Sequence, residues 1–405
     1  MAAWHDCVFP CVCTLLTCTF AEPDTGALDA ARQGQQPDQP GMTERTPGAE
    51  AGRALGGRAS QPQEVVEPPN PYRIFGENQR VPFADRMREL IIAISAYTEQ
   101  RRPGFAIIVE NGLDLVTADG TLKTDPVDSF IAAIDGVIVD GLYAPGTTIA
   151  DRGEKMELVR RGRGDHWAVL AMERLPPGAD PAPVVRQLQE LDMIPLIAPF
   201  EVSPEAPLPD LRNRPINESA DNITRLTGVR NYLNLTDASG FMSQGAMVEL
   251  LTRTNYDMLV LPLHHPQGRY ISQDDVRDLR LKRLGSRRAL VGRLSVAEAE
   301  AGSYYWRPEW SVRRPRWVQE AGRRDGTFFT RFWQREWQQI LFGDSRSVID
   351  GVLAVGLDGI VLDVANVHRI YDLEQDASED AAGVKRRTIS SDRTLEMIQQ
   401  LRGTR

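Results

Sequence analysis

Beyond residue 18 the chain contains no cysteine; Cys7, Cys11, Cys13 and Cys18 are all crowded into its first eighteen residues. The body therefore has no disulfide, no thiolate metal site and no cysteine nucleophile. Histidine is scarce as well, with five in 405 residues. The adjacent pair His264-His265 does not suggest an ion site, because neighbours along a strand point to opposite faces. No metal is expected, and no cofactor. A Gly-x-Ser-x-Gly elbow is missing, which disfavours serine hydrolysis. No Gly-rich loop follows any strand-like run, which disfavours a doubly wound nucleotide-binding sheet. No apolar run reaches the roughly 20 residues that cross a bilayer. A basic surplus is lacking too: the net charge is −9 and the pI about 5.3, so nucleic acid is not an expected partner.

The N-terminal segment is of a different kind from the rest. The apolar stretch Val8 to Phe20, closing on Thr19-Phe20-Ala21, reads as a candidate signal peptide over residues 1–21, although no Lys or Arg precedes it. Leu15-Leu16-Thr17-Cys18 is a weak lipoprotein-type box that would make Cys18 a lipid anchor. An exported protein is expected; the competing reading takes Met42 as the true start and leaves the protein cytoplasmic. Residues 22–70 are rich in Gly, Pro, Gln and Ala and nearly free of aromatics, the composition of a disordered tether. Residues 71–405 are expected to form the folded domain.

There, apolar runs alternate with helical periodicity. Met87, Leu90, Ile91, Ile94 and Tyr97 fall on one helical face. Strand-like runs leave through Glu110, Asp140, Glu173, Thr236, Pro262, Ser295, Trp333 and Asp363, with a further short extended piece at Met193 to Ala198 and a Pro-broken loop over 199–228. Eight strand-helix alternations predict a (β/α)8 TIM barrel. In that fold the C-terminal strand ends face the active site. The run Ile360 to Leu362, entered through Asp358-Gly359 and left through Asp363, is the best example of a strand buried on both faces.

A strand-end carboxylate taken alone is as readily a helix cap as a catalyst. Asp363, Asp140, Glu173, Glu298 and Glu300 converging on one rim shift that balance. Paired carboxylates suffice for glycoside hydrolysis without a cofactor. Five of the seven tryptophans lie between Trp306 and Trp337, and flat rings at a barrel mouth suit stacking against sugars. The bland alternative is that these rings pack locally and the glutamates are solvated.

The blocks RALVGRLSVAEAEAGSYYWRPEW, TFFTRFWQREW and GLDGIVLDVANV, preceded by YDMLVLPL, resemble consecutive blocks of the endo-α-1,4-polygalactosaminidase-like glycoside hydrolases (family 114), which are TIM barrels. MRELIIAISAYTEQRRPGFAIIVENG, IAAIDGVIVDGLY and WAVLAMERL resemble blocks that in the family follow the Asp strand, so the chain reads as circularly permuted. A closed barrel tolerates such a permutation at a surface loop. The resemblance implies a glycosidase acting on an amino-sugar polysaccharide, with Asp363 as nucleophile or base and Asp140 as general acid. It implies substrate contacts from Glu298, Glu300, Glu173, Asn111, Tyr143, Tyr305, Trp306, Trp333 and Asn366. The sequence departs from the family pattern at Asn366, Pro262, Gln334 and Ala297, and at Asp140 in place of Glu. A shortened acid displaces its oxygen by about 1 Å, enough to cost on the order of a hundredfold in rate. A catalytically weakened barrel that binds carbohydrate or serves as a surface scaffold is therefore the second expectation. A metal-dependent hydrolase is the third.

Overall fold

The computed structural model describes residues 81–164, 166–198, 214–236, 238–265 and 269–381. The expected signal segment, the tether, Cys18 and residues 199–213 of the Pro-rich loop lie outside the described residues. In chain order the strands are β1 (Ala106–Glu110), β2 (Gly136–Asp140), β3 (Ala168–Arg174), β4 (Ile194–Ala198), β5 (Tyr232–Asn234), β6 (Met258–Pro262), β7 (Ala289–Ser295), β8 (Glu298–Glu300), β9 (Val318–Ala321), β10 (Thr327–Thr330) and β11 (Gly359–Asp363). The helices are α1 (Phe83–Arg101), α2 (Asp128–Ile131), α3 (Ile149–Arg163), α4 (Ala182–Glu190), α5 (Gln244–Thr252), α6 (Gln273–Leu279), α7 (Arg335–Leu341), α8 (Val348–Val355) and α9 (Val367–Ala381).

Eight parallel strands form one nearly closed sheet in the order β4-β3-β2-β1-β11-β7-β6-β5, a (β/α)8 barrel. The first and last of the described strands are neighbours, paired from Ala106↔Gly359 to Glu110↔Asp363. Two apolar layers result from the two faces of each strand. Ile108, Ile138, Leu170, Val260, Val291 and Val361 fill the lumen. Their neighbours of opposite parity, among them Ile107, Val109, Val137 and Leu362, meet the helices outside. Helix α1 packs there with Met87, Leu90, Ile91 and Ile94, all essentially inaccessible. Full burial of one such side chain contributes about 2 kcal/mol.

The Asp-Gly dipeptides entering β2 and β11 have a mechanical role at the bottom of the barrel. Asp135 Oδ2 accepts the Ile107 N–H at 2.8 Å, and Asp358 Oδ2 accepts the Leu290 N–H at 2.9 Å. Each carboxylate thereby ties its strand to the next. The glycine that follows has no room for a side chain: a Cβ at Gly136 would lie 2.5 Å from the Ala168 carbonyl oxygen, and one at Gly359 2.6 Å from that of Ala106. Asp257, entering β6, does the same work through the Arg230 N–H at 2.9 Å and a buried ion pair with Lys282 at 2.6 Å.

One strand assignment from the sequence is corrected. The run Phe328 to Trp333 is not a barrel stave. Its core, β10, is the middle strand of a separate antiparallel sheet, β8-β10-β9, inserted between β7 and β11. The eighth stave is β4, whose short run holds Pro195. An aromatic run of four to six residues suits either kind of sheet, because its strand propensity reflects packing partners not visible locally.

Candidate active site at the barrel mouth

Strand periodicity decides what faces the mouth. Continuing the lumen-facing parity upward brings in Glu110 from β1, Asp140 from β2, Arg174 from β3, Asn234 from β5, Arg293 from β7 and Asp363 from β11. Apolar below and charged at the top, the lumen ends in a ring of opposite charges.

Asp363 is its hub and has no exposed surface. Its Oδ1 accepts from Asn111 Nδ2 and from the Ala365 N–H, both at 2.9 Å. Its Oδ2 accepts from Arg293 Nη2 at 2.8 Å and from Arg323 Nη2 at 2.7 Å. Although burial opposes ionisation, the Arg293 and Arg323 guanidiniums and the Asn111 amide hold the carboxyl well below its usual range.

Glu110 stands beside it and behaves oppositely. Burial pushes its pKa up, and the Asp363 charge pushes it further, against the pull of Arg293. Arg293 Nη2 lies 2.7 Å from Glu110 Oε2 and 2.8 Å from Asp363 Oδ2. Those two distances laid end to end are the upper limit on the separation of the two carboxylate oxygens.

Arg323 reaches this cluster from the turn between β9 and β10. It also clasps Glu298, with Nε at 3.0 Å and Nη2 at 2.8 Å from Oε2, while its backbone N–H donates to Oε1 at 2.7 Å. The turn needs glycine before the arginine, since a Cβ on Gly322 would meet Glu298 Oε1 at 2.5 Å. The loops after β1 and β11 are also unusual. Asn111, Ala365 and Asn366 have φ of 59°, 54° and 53°, left-handed positions that glycine normally takes.

Two openings flank the cluster. One, a cavity of about 90 Å³, is lined by Arg293, Ser295, Glu298, Glu300, Tyr305 and His264. The other is a cleft of about 660 Å³ bounded by Asn111, Asp140, Lys155, Asn366 and Arg369. Asp363 lines neither, but Arg293 on one side and Asn111 on the other both touch it.

The residues singled out in the sequence divide among these surroundings. Asp140 and Asn366 face the cleft, and Asp140 is paired with Arg174 at 2.5 Å while its carbonyl accepts Lys155 Nζ at 2.7 Å. Strand β1 separates Asp140 from Asp363, and the two share neither of these openings. Glu173 has the outward parity. It is buried and accepts the Leu142 and Tyr143 N–H groups at 2.8 and 2.9 Å, pinning the loop after β2. The Tyr143 ring lies under the Arg152 guanidinium at 4.2 Å.

Glu298 and Glu300, two apart on β8, both line the small cavity, where Glu300 Oε1 lies 3.3 Å from His264 Nε2. Tyr305 accepts the Glu300 N–H at 3.0 Å. Trp306 and Trp333 line neither opening. Trp306 stacks on Phe328 with centroids 5.1 Å apart, and Trp333 packs among Phe83, Phe332 and Tyr371. The tryptophan concentration is the packed interior of the inserted sheet and its surroundings, with Trp317 and Trp337 buried at its base.

Three residues of the cluster were not among the sequence candidates: Glu110, Arg293 and Arg323. Glu110 had the same strand-end position as those that were. Arg293 is a lone charge inside an otherwise apolar strand run, which is itself a signal. Nothing local marks Arg323. Among the described residues no three His, Asp or Glu side chains are grouped to hold a metal ion, and no helix is long and apolar enough to cross a membrane.

Fold and mouth together define a (β/α)8 barrel with a buried carboxylate-guanidinium centre at its C-terminal face. No family model matches the chain. It is 26% identical over 149 residues to an uncharacterized protein of Methanocaldococcus jannaschii, covering 36% of this chain and 40% of that one. It is 32% identical over 74 residues to an uncharacterized protein of Thermotoga maritima, covering 18% of this chain and 22% of that one. The chain thus matches less than half the length of either relative.

Proposed function

We propose that the protein is a glycoside hydrolase acting on an amino-sugar polysaccharide of the galactosaminan type, with Asp363 as nucleophile and Glu110 as general acid. The single observation carrying this reading is the Glu110–Asp363 pair, adjacent carboxylates whose surroundings drive their pKa values apart. Pairs whose surroundings push their pKa values apart are how one site separates a proton donor from an anion. Their separation is bounded by a shared Arg293 nitrogen. That bound agrees with the roughly 5–5.5 Å of retaining enzymes and falls short of the roughly 6.5–9.5 Å of inverting ones. Glu110 would protonate the glycosidic oxygen as Asp363 attacks the anomeric carbon. Deprotonated Glu110 would then take a proton from the water that releases the sugar. Asp140, paired with Arg174 beyond β1, becomes a substrate-positioning group in the cleft. Export, expected from residues 1–21, suits a polymeric substrate.

The full burial of Asp363 beneath Arg323 favours the second reading, a catalytically weakened barrel that binds carbohydrate. Incubation of the protein with galactosaminan oligomers, acetylated and free, distinguishes them by product analysis. Retained anomeric configuration, and turnover abolished by both Glu110→Gln and Asp363→Asn, is the expected result. Saccharide binding without turnover by the unsubstituted protein would leave the second reading.

A further inference from the structure

The lumen beneath Glu110 contains polar atoms that the fold leaves unanswered. Tyr232 and Asn234 lie two apart on β5 and share its inward face; Arg174 ends β3. Asn234 Nδ2 and Arg174 Nη2 approach the same thioether, Met172 Sδ, at 3.7 and 3.9 Å. Asn234 and Arg174 therefore meet at Met172, and Tyr232 lies one step down the same inward face of β5 from Asn234. Tyr232 is 1% exposed and Asn234 8%. Yet Tyr232 Oη, Asn234 Oδ1 and Arg174 Nε are each buried without a hydrogen-bond partner among the described residues. A buried polar group left unsatisfied costs about 1–3 kcal/mol, and folded proteins rarely leave several together.

We propose that Tyr232, Asn234 and Arg174 form the floor of a subsite that binds the hydroxyl edge of a neutral or ammonium-bearing sugar ring, next to the Glu110–Asp363 pair. This rests on the carbohydrate reading above and assigns three residues it did not use.

The orphan set comprises one acceptor in the Asn234 amide oxygen, one donor in the Arg174 Nε–H, and one group in Tyr232 that does either. A hydroxyl donates and accepts at once, so a polyol edge answers all three. A carboxylate or phosphate ligand only accepts and would leave Asn234 Oδ1 unsatisfied. It would also meet the negative field of Asp140 and Glu173, carboxylates that bear on the Tyr232 phenol. That field suits an ammonium group. Glu110 shares the lumen-facing parity of Arg174 and Asn234, so the floor and the proposed acid belong to one ring of side chains.

The test uses the full chain with galactosamine, galactose and galacturonate as probes, read by thermal shift and calorimetric titration. Galactosamine and galactose are expected to bind and galacturonate not to. Tyr232→Phe and Asn234→Leu should each weaken sugar binding roughly tenfold or more, as loss of a hydrogen bond to a buried group implies. Without sugar both should be as stable as the unsubstituted protein, or more so, because each removes an unanswered polar atom. Substitutions that lower unliganded stability and leave sugar affinity unchanged would overturn the proposal, marking internal water as the sole partner. Absence of any sugar binding would overturn it too. If Glu110→Gln abolishes turnover while the floor variants bind sugar normally, the subsite fails and the hydrolase reading stands. If the floor variants lose binding but the protein hydrolyses nothing, the subsite stands and the hydrolase reading fails.

Discussion

Glu110 and Asp363 face each other in register on adjacent parallel strands, and one nitrogen of Arg293 touches both carboxylates. A single guanidinium cannot neutralise two buried anions. Arg323 supplies the second positive charge, and it does so on the Asp363 side. That asymmetry holds the Asp363 pKa down and leaves that of Glu110 raised.

The split has opposite consequences for stability against pH. Asp363 has a depressed folded pKa, so its contribution is present above the ordinary carboxylate pKa and lost as pH falls through the lower folded value. Asp363→Asn should flatten the acid limb of a urea-denaturation series below about pH 4. Glu110 has a raised folded pKa, so its ionisation weakens the fold as pH rises. The stability of Glu110→Gln relative to the unsubstituted protein should therefore improve from about pH 4 to pH 7. Curves running parallel to that of the unsubstituted protein would remove the assignment.

Arg323 holds two carboxylates that have almost no exposed surface, Glu298 and Asp363. Replacing it with Gln leaves buried negative charge short of a partner and should cost about 3 kcal/mol in chemical denaturation. On the proposed reading, the same variant should raise the affinity for galactosaminan oligomers, because the guanidinium over Asp363 is gone. Unchanged oligomer affinity would mean that the turn between β9 and β10 does not control access.

At the opposite end of the barrel, Lys282 and Asp257 form an ion pair in which neither side chain is accessible. Lys282→Met should cost about 3–5 kcal/mol by stranding the carboxylate. If the mouth alone carries function, kcat of the folded fraction should not change. A selective loss of kcat at full stability would contradict the division between a stabilising bottom and a functional top.

Backbone substitutions separate close approach from strain. Gly359→Ala places a Cβ against the Ala106 carbonyl and should destabilise by about 1–3 kcal/mol or more. Ala365→Gly relieves a left-handed alanine beside Asp363 and should stabilise by about 0.5–1 kcal/mol. If the strained turn orients Asp363, the second variant should also lose activity. Thermal denaturation with a parallel turnover assay reads both effects.

Much of the barrel was legible because its signals are local. A stave buried on both faces reads as an unbroken apolar run, as Ile360 to Leu362 does, and the Asp-Gly at its start marks a crowded backbone and a tie to the next strand. The short β4 and the aromatic β10 were exchanged for one another because a brief apolar run does not state which sheet it joins. The permutation expected from the order of the blocks leaves no trace in strand order, since β1 and β11 are neighbours in any ring of staves.

The sequence by itself determined the alternation of strands and helices, the acidic residues at strand ends and the cysteine-free body, because periodicity and composition are properties of short stretches. Tertiary structure decided which charges meet. Parity turned Glu173 outward to hold a loop and Glu110 inward to Asp363. A turn forty residues before Asp363 in the chain delivered Arg323 to it. The tryptophans packed against one another rather than facing an opening. These outcomes depend on distances between segments remote in sequence, and the pKa of a buried carboxylate follows from those distances.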